Sequence, residues 1–84
     1  MTWNILWSRP AERDMRRLDP GVSQRIQDAV EQLAETGHGD VRPLQGRERQ
    51  WRLRVGELRV LFTYDSATAT IQIIRVLPRG RVYR

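Results

Sequence analysis

Arginine is the residue from which any chemistry of this chain must be built. All fifteen basic residues are Arg, with no Lys, no Cys and a single His, His38. A guanidinium is permanently charged and a poor base, but its planar fork grips phosphate or carboxylate through paired hydrogen bonds. Three arginines fall in the stretch Trp51-Arg52-Leu53-Arg54-Val55-Gly56-Glu57-Leu58-Arg59-Val60-Leu61-Phe62. Trp51, Leu53 and Val55 alternate with Arg52 and Arg54, the period of a strand with one buried face. After Gly56-Glu57, Leu58, Val60 and Phe62 resume the buried side and Arg59 takes the other. A two-residue loop opening with Gly suits a type II′ hairpin turn. It predicts that Val55 faces Leu58, Leu53 faces Val60, Trp51 faces Phe62 and Arg54 faces Arg59. Like charges directly opposed on a sheet repel. Arg52, Arg54 and Arg59 are therefore either splayed into solvent or gathered as an anion site, where an arriving phosphate or carboxylate relieves the repulsion.

The placement of charge along the chain bears on that choice. Residues 1–41 carry five Arg against seven acids, net −2, and residues 42–84 carry ten Arg against three acids, net +7. A sheet half this basic points to a polyanion partner, nucleic acid first among them. The exclusive use of Arg is also what a GC-rich genome would produce. One His and no Cys cannot assemble a metal site, and no cofactor is expected. His38, between Gly37 and Gly39, has no partner at a recognisable spacing and reads as a solvated loop residue. The lack of Cys fits a reducing cytoplasm, and apolar runs of a few residues predict neither a signal peptide nor a membrane span.

At 84 residues the chain supports one modest core, a single domain over 1–84. Trp3, Ile5 and Trp7 alternate in a first strand over Thr2 to Trp7, with the aromatics turned to the core. Ser8-Arg9-Pro10 starts a helix whose stripe is Ala11, Met15 and Leu18. Asp19-Pro20 starts a second, with Val22, Ile26, Ala29, Val30 and Leu33 at helical spacing and a stop at Gly37. The exposed sides of both helices mix Arg16, Arg17, Arg25, Asp28, Glu31 and Glu35 in the manner of an ordinary solvated surface. Thr36 to Arg49 reads as a loop. Beyond the hairpin, Asp65 to Thr68 reads as a turn. Thr70 to Leu77 is an interior strand, apolar on both faces and ended by Pro78. The order β-α-α-β-β-β with a basic tail is an α+β domain: a small antiparallel-rich sheet with two N-terminal helices on one face.

Taken together these blocks resemble the RelE/ParE superfamily of toxins from bacterial and archaeal type II toxin–antitoxin systems. The resemblance covers essentially the whole chain. It rests on the opening strand with Ser8 and Ala11, on Arg42-Pro43-Leu44 with Gly46, and on the hairpin from Trp51 to Phe62, close to the family's YRLRVGDYRVLY. The ending Arg79-Gly80-Arg81-Val82-Tyr83 matches the family's closing Arg and the Tyr four residues later. Several ordered blocks at compatible spacing are a far more specific signal than one short motif.

The resemblance implies two helices on one face of the sheet and a basic groove on the other. RelE-like members cleave messenger RNA in the ribosomal A site, with basic residues at the positions of Arg52, Arg54, Arg59 and Arg79 and a Tyr at that of Tyr83. ParE-like members share the scaffold but inhibit DNA gyrase, and both are neutralised by a small antitoxin. On the RelE-like reading Arg54, Arg59, Arg79 and Tyr83 are catalytic, and Arg49, Arg52 and Arg81 bind RNA. Metal-free attack by the neighbouring 2′-OH needs a base, stabilisation of the phosphorane and departure of the 5′-oxygen. The arginines suit the second task, and Tyr83 is left with the first. Its ordinary pKa near 10 would be lowered by adjacent Arg charges. Three departures stand out: Arg52 and Arg54 where some RelE enzymes carry Lys, Pro78 where His or Lys is frequent before the closing Arg, and a chain that stops just past Tyr83. Gyrase inhibition without catalysis, or binding of antitoxin alone, are the other functions this scaffold implies.

Overall fold

The structure, a computed structural model, describes residues 2–47 and 49–78. Its elements are β1 (Asn4–Trp7), α1 (Arg9–Arg16), α2 (Pro20–Thr36), β2 (Asp40–Pro43), β3 (Trp51–Val55), β4 (Leu58–Asp65) and β5 (Thr70–Pro78). The five strands form one sheet in the order β1-β5-β4-β3-β2. Only the β1–β5 pair is parallel, with Ile5 beside Ile71 and Trp7 beside Ile73. This is the α+β arrangement expected, with one strand more than β-α-α-β-β-β. The extra strand is β2, in the segment read as a loop. It is four residues long, has Val41 as its one buried-side apolar residue and ends in Pro43, so it carries no readable alternation. Charged residues and Pro are what a sheet edge tolerates.

The hairpin forms in the predicted register, with Val55 opposite Leu58, Leu53 opposite Val60, Trp51 opposite Phe62 and Arg54 opposite Arg59. Gly56 takes φ 58° while Glu57 is not among the positive-φ residues, as a type II′ turn requires. Both helix starts are where the sequence sets them. Ser8 caps α1, its Oγ accepting from the Ala11 N–H at 3.1 Å and donating to the Ile74 carbonyl at 2.7 Å. Asp19 occupies the N-cap of α2, although its side chain makes no capping hydrogen bond. α2 ends at Gly37, whose N–H donates to the Leu33 carbonyl at 2.9 Å.

The core lies between the helices and one sheet face. Ile26, Val30, Leu33 and Ala34 of α2 and Ala11 of α1 bury against Leu53, Val60, Phe62, Ile71, Ile73 and Val76. β5 reaches this core through an irregularity. Leu61 pairs with Arg75 but Phe62 with Ile73, so Ile74 has no partner on β4. That bulge shifts the side-chain phase by one residue and lets Ile73 and Val76 face the same way. It explains why β5 is apolar on both faces, beyond its interior position. On the opposite face Leu44, Leu61 and Leu77 form a small second cluster with Ile74.

Candidate anion-binding face

The sheet face turned away from the helices carries the hairpin arginines. Pairing across four strands sets two transverse rows: Asp40, Arg54, Arg59 and Leu77, then Arg42, Arg52, Leu61 and Arg75. Neighbouring strands lie about 4.8 Å apart, so each row spans roughly 14 Å. Leu61 and Leu77 make the floor between the charges. Arg54 is exposed and Arg52 half-buried, but Arg59 is only 5% exposed. Its Nη1 donates to the Leu58 carbonyl at 3.2 Å and lies 3.5 Å from that of Gly56. Taking a guanidinium out of water is costly, and a fixed, dehydrated charge attracts an anion more strongly than a solvated one. Arg54 beside it adds to the attraction. The only acid in the two rows, Asp40, has its Oδ1 3.8 Å from Arg42 Nε, an exposed pair of little consequence.

The rows continue past the sheet onto α1. β1 stops pairing at Ile73, and α1 covers the remaining edge of β5. There Asp14 Oδ2 accepts from Arg75 Nε at 2.8 Å and from the Val76 N–H at 2.9 Å, while Oδ1 accepts from Arg75 Nη2 at 3.0 Å. With Ser8 on the Ile74 carbonyl, side chains of the first helical turns satisfy backbone groups that β1 leaves open. Burial works to raise the Asp14 carboxyl, but hydrogen bonds from Arg75 and Val76 and the charges of Arg75 and Arg17 outweigh it and hold the group below its ordinary value. Its hydrogen bonds to Asp14 push the Arg75 guanidinium up in turn. Among the described residues no three His, Cys, Asp or Glu side chains meet as metal ligands.

A family model described as the ParE toxin of the type II toxin–antitoxin system parDE matches residues 5–83. The chain belongs to this ParE toxin family. Solved structures share the fold of the toxin. A chain of the RelBE2 toxin–antitoxin complex from Mycobacterium tuberculosis is 26% identical with a TM-score of 0.80, covering 94% of the toxin and 100% of that chain. In the archaeal RelE–RelB complex from Pyrococcus horikoshii the values are 23% and 0.79, with 96% and 99% covered. A YoeB/ParE toxin from Agrobacterium tumefaciens gives 19% and 0.76, with 90% and 98% covered. No curated protein matches by sequence. The toxin is thus a type II toxin of the RelE/ParE superfamily.

Of the residues singled out from sequence, the toxin brings Arg52, Arg54 and Arg59 together on one face. Arg49, at φ 64° in the turn before β3, lies at the other end of that strand, lining an open recess with Pro43, Gln50 and Trp51. Arg79, Arg81 and Tyr83 lie outside the described residues. Tyr64 is no substitute for Tyr83, because it sits on the helix side against Trp3, Trp51 and Phe62, with ring centroids 5.0, 5.9 and 5.3 Å away. Burial pushes its phenol up, away from use as a base. Sequence reasoning missed Asp14 and Arg75, though both left a mark. Asp14 interrupts the stripe of Ala11, Met15 and Leu18, and Arg75 is the one charge inside the apolar run Ile71 to Leu77. An acid on a core-facing stripe and a base in an interior strand are each other's natural partners.

Proposed function

We propose that the toxin is a ribosome-dependent mRNA endonuclease that inhibits translation, and that an antitoxin encoded beside it masks the basic face. The observation that carries this reading is the buried Arg59 set directly opposite Arg54, a fixed positive site on a face with an apolar floor. Arg52 holds a substrate phosphate, and Arg54, Arg59 and Arg79 stabilise the phosphorane. Tyr83 in its ionised form takes the proton of the attacking 2′-OH, and the 2′-oxygen bonds to phosphorus as the P–O5′ bond breaks. The departing 5′-oxygen takes a proton from water, leaving a 2′,3′-cyclic phosphate and a 5′-hydroxyl. Arg49 and Arg81 contact the flanking RNA. Losing one donor of this kind of charge stabilisation costs ~10²–10³ in rate. Positioning of the message by the ribosome supplies further acceleration. Solved RelE–RelB complexes among the structural relatives support the antitoxin as a partner.

The match to a ParE family model favours a second reading, inhibition of DNA gyrase through the same face without catalysis. Primer extension on a reporter mRNA after brief induction separates the two. The endonuclease yields new 5′ ends confined to translated sequence, lost in Arg54→Ala. Growth arrest with intact mRNA, together with blocked supercoiling by purified gyrase, would transfer the assignment to gyrase.

A further inference from the structure

We propose that Arg13 of α1 and Arg17, its C-cap, form a second phosphate site, which receives the RNA strand after it has crossed the sheet along the row from Arg42 to Arg75. The proposal rests on the RNA-cleaving reading above and extends it beyond the hairpin. Three of the four residues in that row are Arg, and the fourth, Leu61, gives a smooth floor. The row ends at Arg75, which is bound to Asp14, and Arg13 and Arg17 flank Asp14 on the helix. Residues four apart on a helix are neighbours, with Cβ atoms about 5–6 Å apart. Arg13, Asp14, Arg17 and Arg75 line an open recess of about 330 Å³ with Pro10.

Asp14 does not neutralise this recess. Both its oxygens are taken by Arg75 and Val76. The side chains of Arg13 and Arg17 make no hydrogen bond or ion pair among the described residues. With three guanidinium groups to one carboxylate, the recess keeps an excess of two positive charges. A helix C-terminus favours Arg in its last turn, but that applies equally to Arg16. Arg16 lines a different recess, with Glu12, Gln27, Met15 and Trp7, so charges are balanced on one side of α1 and left positive on the other. The positive side is the one that continues the arginine row. A linear polyanion long enough to span four strands and a helix fits this layout, and a phosphodiester chain offers one bidentate acceptor after another to arginine.

The test is fluorescence anisotropy of the full-length toxin with a 5′-labelled, fully 2′-O-methylated 12-nucleotide oligouridine, which binds but cannot be cut, from 50 to 300 mM salt. Each phosphate contact on a single strand contributes about −0.7 to the slope of log K against log salt. Arg13→Gln with Arg17→Gln should flatten the slope by about 1.4 and weaken binding roughly tenfold at the low-salt end. Arg9→Gln with Arg16→Gln removes the same charge from exposed α1 positions outside the recess and should leave the slope unchanged. If the Arg13/Arg17 pair behaves as that control while Arg52→Gln with Arg54→Gln flattens the slope, the second site is wrong and the hairpin reading survives. If neither pair alters binding, or wild type does not bind at 50 mM salt, both fall. Unchanged RNA binding with lost affinity for a polyglutamate peptide would assign the recess to an acidic protein segment and overturn the proposal.

Discussion

Replacing Asp14 by Ala removes the link between α1 and the bulged part of β5, and the two sides of that link fail differently. The Val76 N–H is buried and bonded only to Asp14 in this exchange, so stranding it costs about 1–3 kcal/mol. The Arg75 side chain is 38% exposed and can turn to water, so its share of the lost ion pair is held to about 1 kcal/mol. A loss of about 2–4 kcal/mol lowers Tm by roughly 10–25 °C for a domain of this size. Asp14→Asn keeps one acceptor for Val76 and should fall between. The pH dependence has a definite sign. A carboxyl depressed in the folded state stabilises fully above its unfolded pKa, about 3.9, and the benefit is lost as pH falls through the lower folded value. The gap between wild type and Asp14→Ala, followed by circular dichroism melts, should be constant from pH 5 to 7 and narrow below pH 4, where the neutral carboxyl still accepts from Val76 but no longer pairs with Arg75 as an ion. A variant melting within 2 °C of wild type at pH 7, or a gap as wide at pH 2.5 as at pH 7, would refute the argument.

Other consequences are open to similar tests. Gly39→Ala should destabilise by about 1–3 kcal/mol in urea titration, because Gly39 has φ 155° and an added Cβ would meet Leu53 Cδ1 at 2.8 Å, inside the core. In a reconstituted translation extract, Arg54→Ala should reduce mRNA cleavage ~10²–10³-fold with little change in Tm, since Arg54 is exposed. With a tyrosine base of ordinary pKa near 10, single-turnover cleavage should rise from pH 6 to 9 and collapse in Tyr83→Phe. A flat profile with chemistry limiting removes Tyr83 from that role. Titration with the product of the adjacent gene should raise the toxin's Tm by mass action and abolish oligouridine binding. A bound partner that leaves RNA binding intact would place the antitoxin elsewhere.

How much of this was legible beforehand depended on whether a local signal existed. The hairpin register follows from one turn of fixed length and an unbroken alternation, so the opposition of Arg54 and Arg59 could be read residue by residue. The depth at which Arg59 sits could not, because Arg59 lies in an interior strand beside Leu77 of β5, which is distant in sequence. β2 escaped because Asp40 to Pro43 has neither length nor periodicity, and with it went the row that starts at Arg42. The bulge at Ile74 has no Gly or Pro to announce it. The pairing of Asp14 with Arg75 was visible as two misplaced charges, but only the parallel β1–β5 pairing reveals why α1 must cover that edge.

That same pairing bears on when the protein comes into being. Among the described strands β1 is made first and β5 last, yet β5 lies inside the sheet between β1 and β4. Until β5 has emerged, β1 has nothing to pair with, Phe62 lacks its Ile73 partner and α1 has no edge to cover. Non-local pairing of this kind delays folding until β5 has been made, which for about 78 residues at about 5–20 residues per second takes roughly 4–16 s. On the ribosome-directed reading proposed above, a nascent chain is harmless to the ribosome that is making it. An antitoxin already present has that interval in which to be waiting.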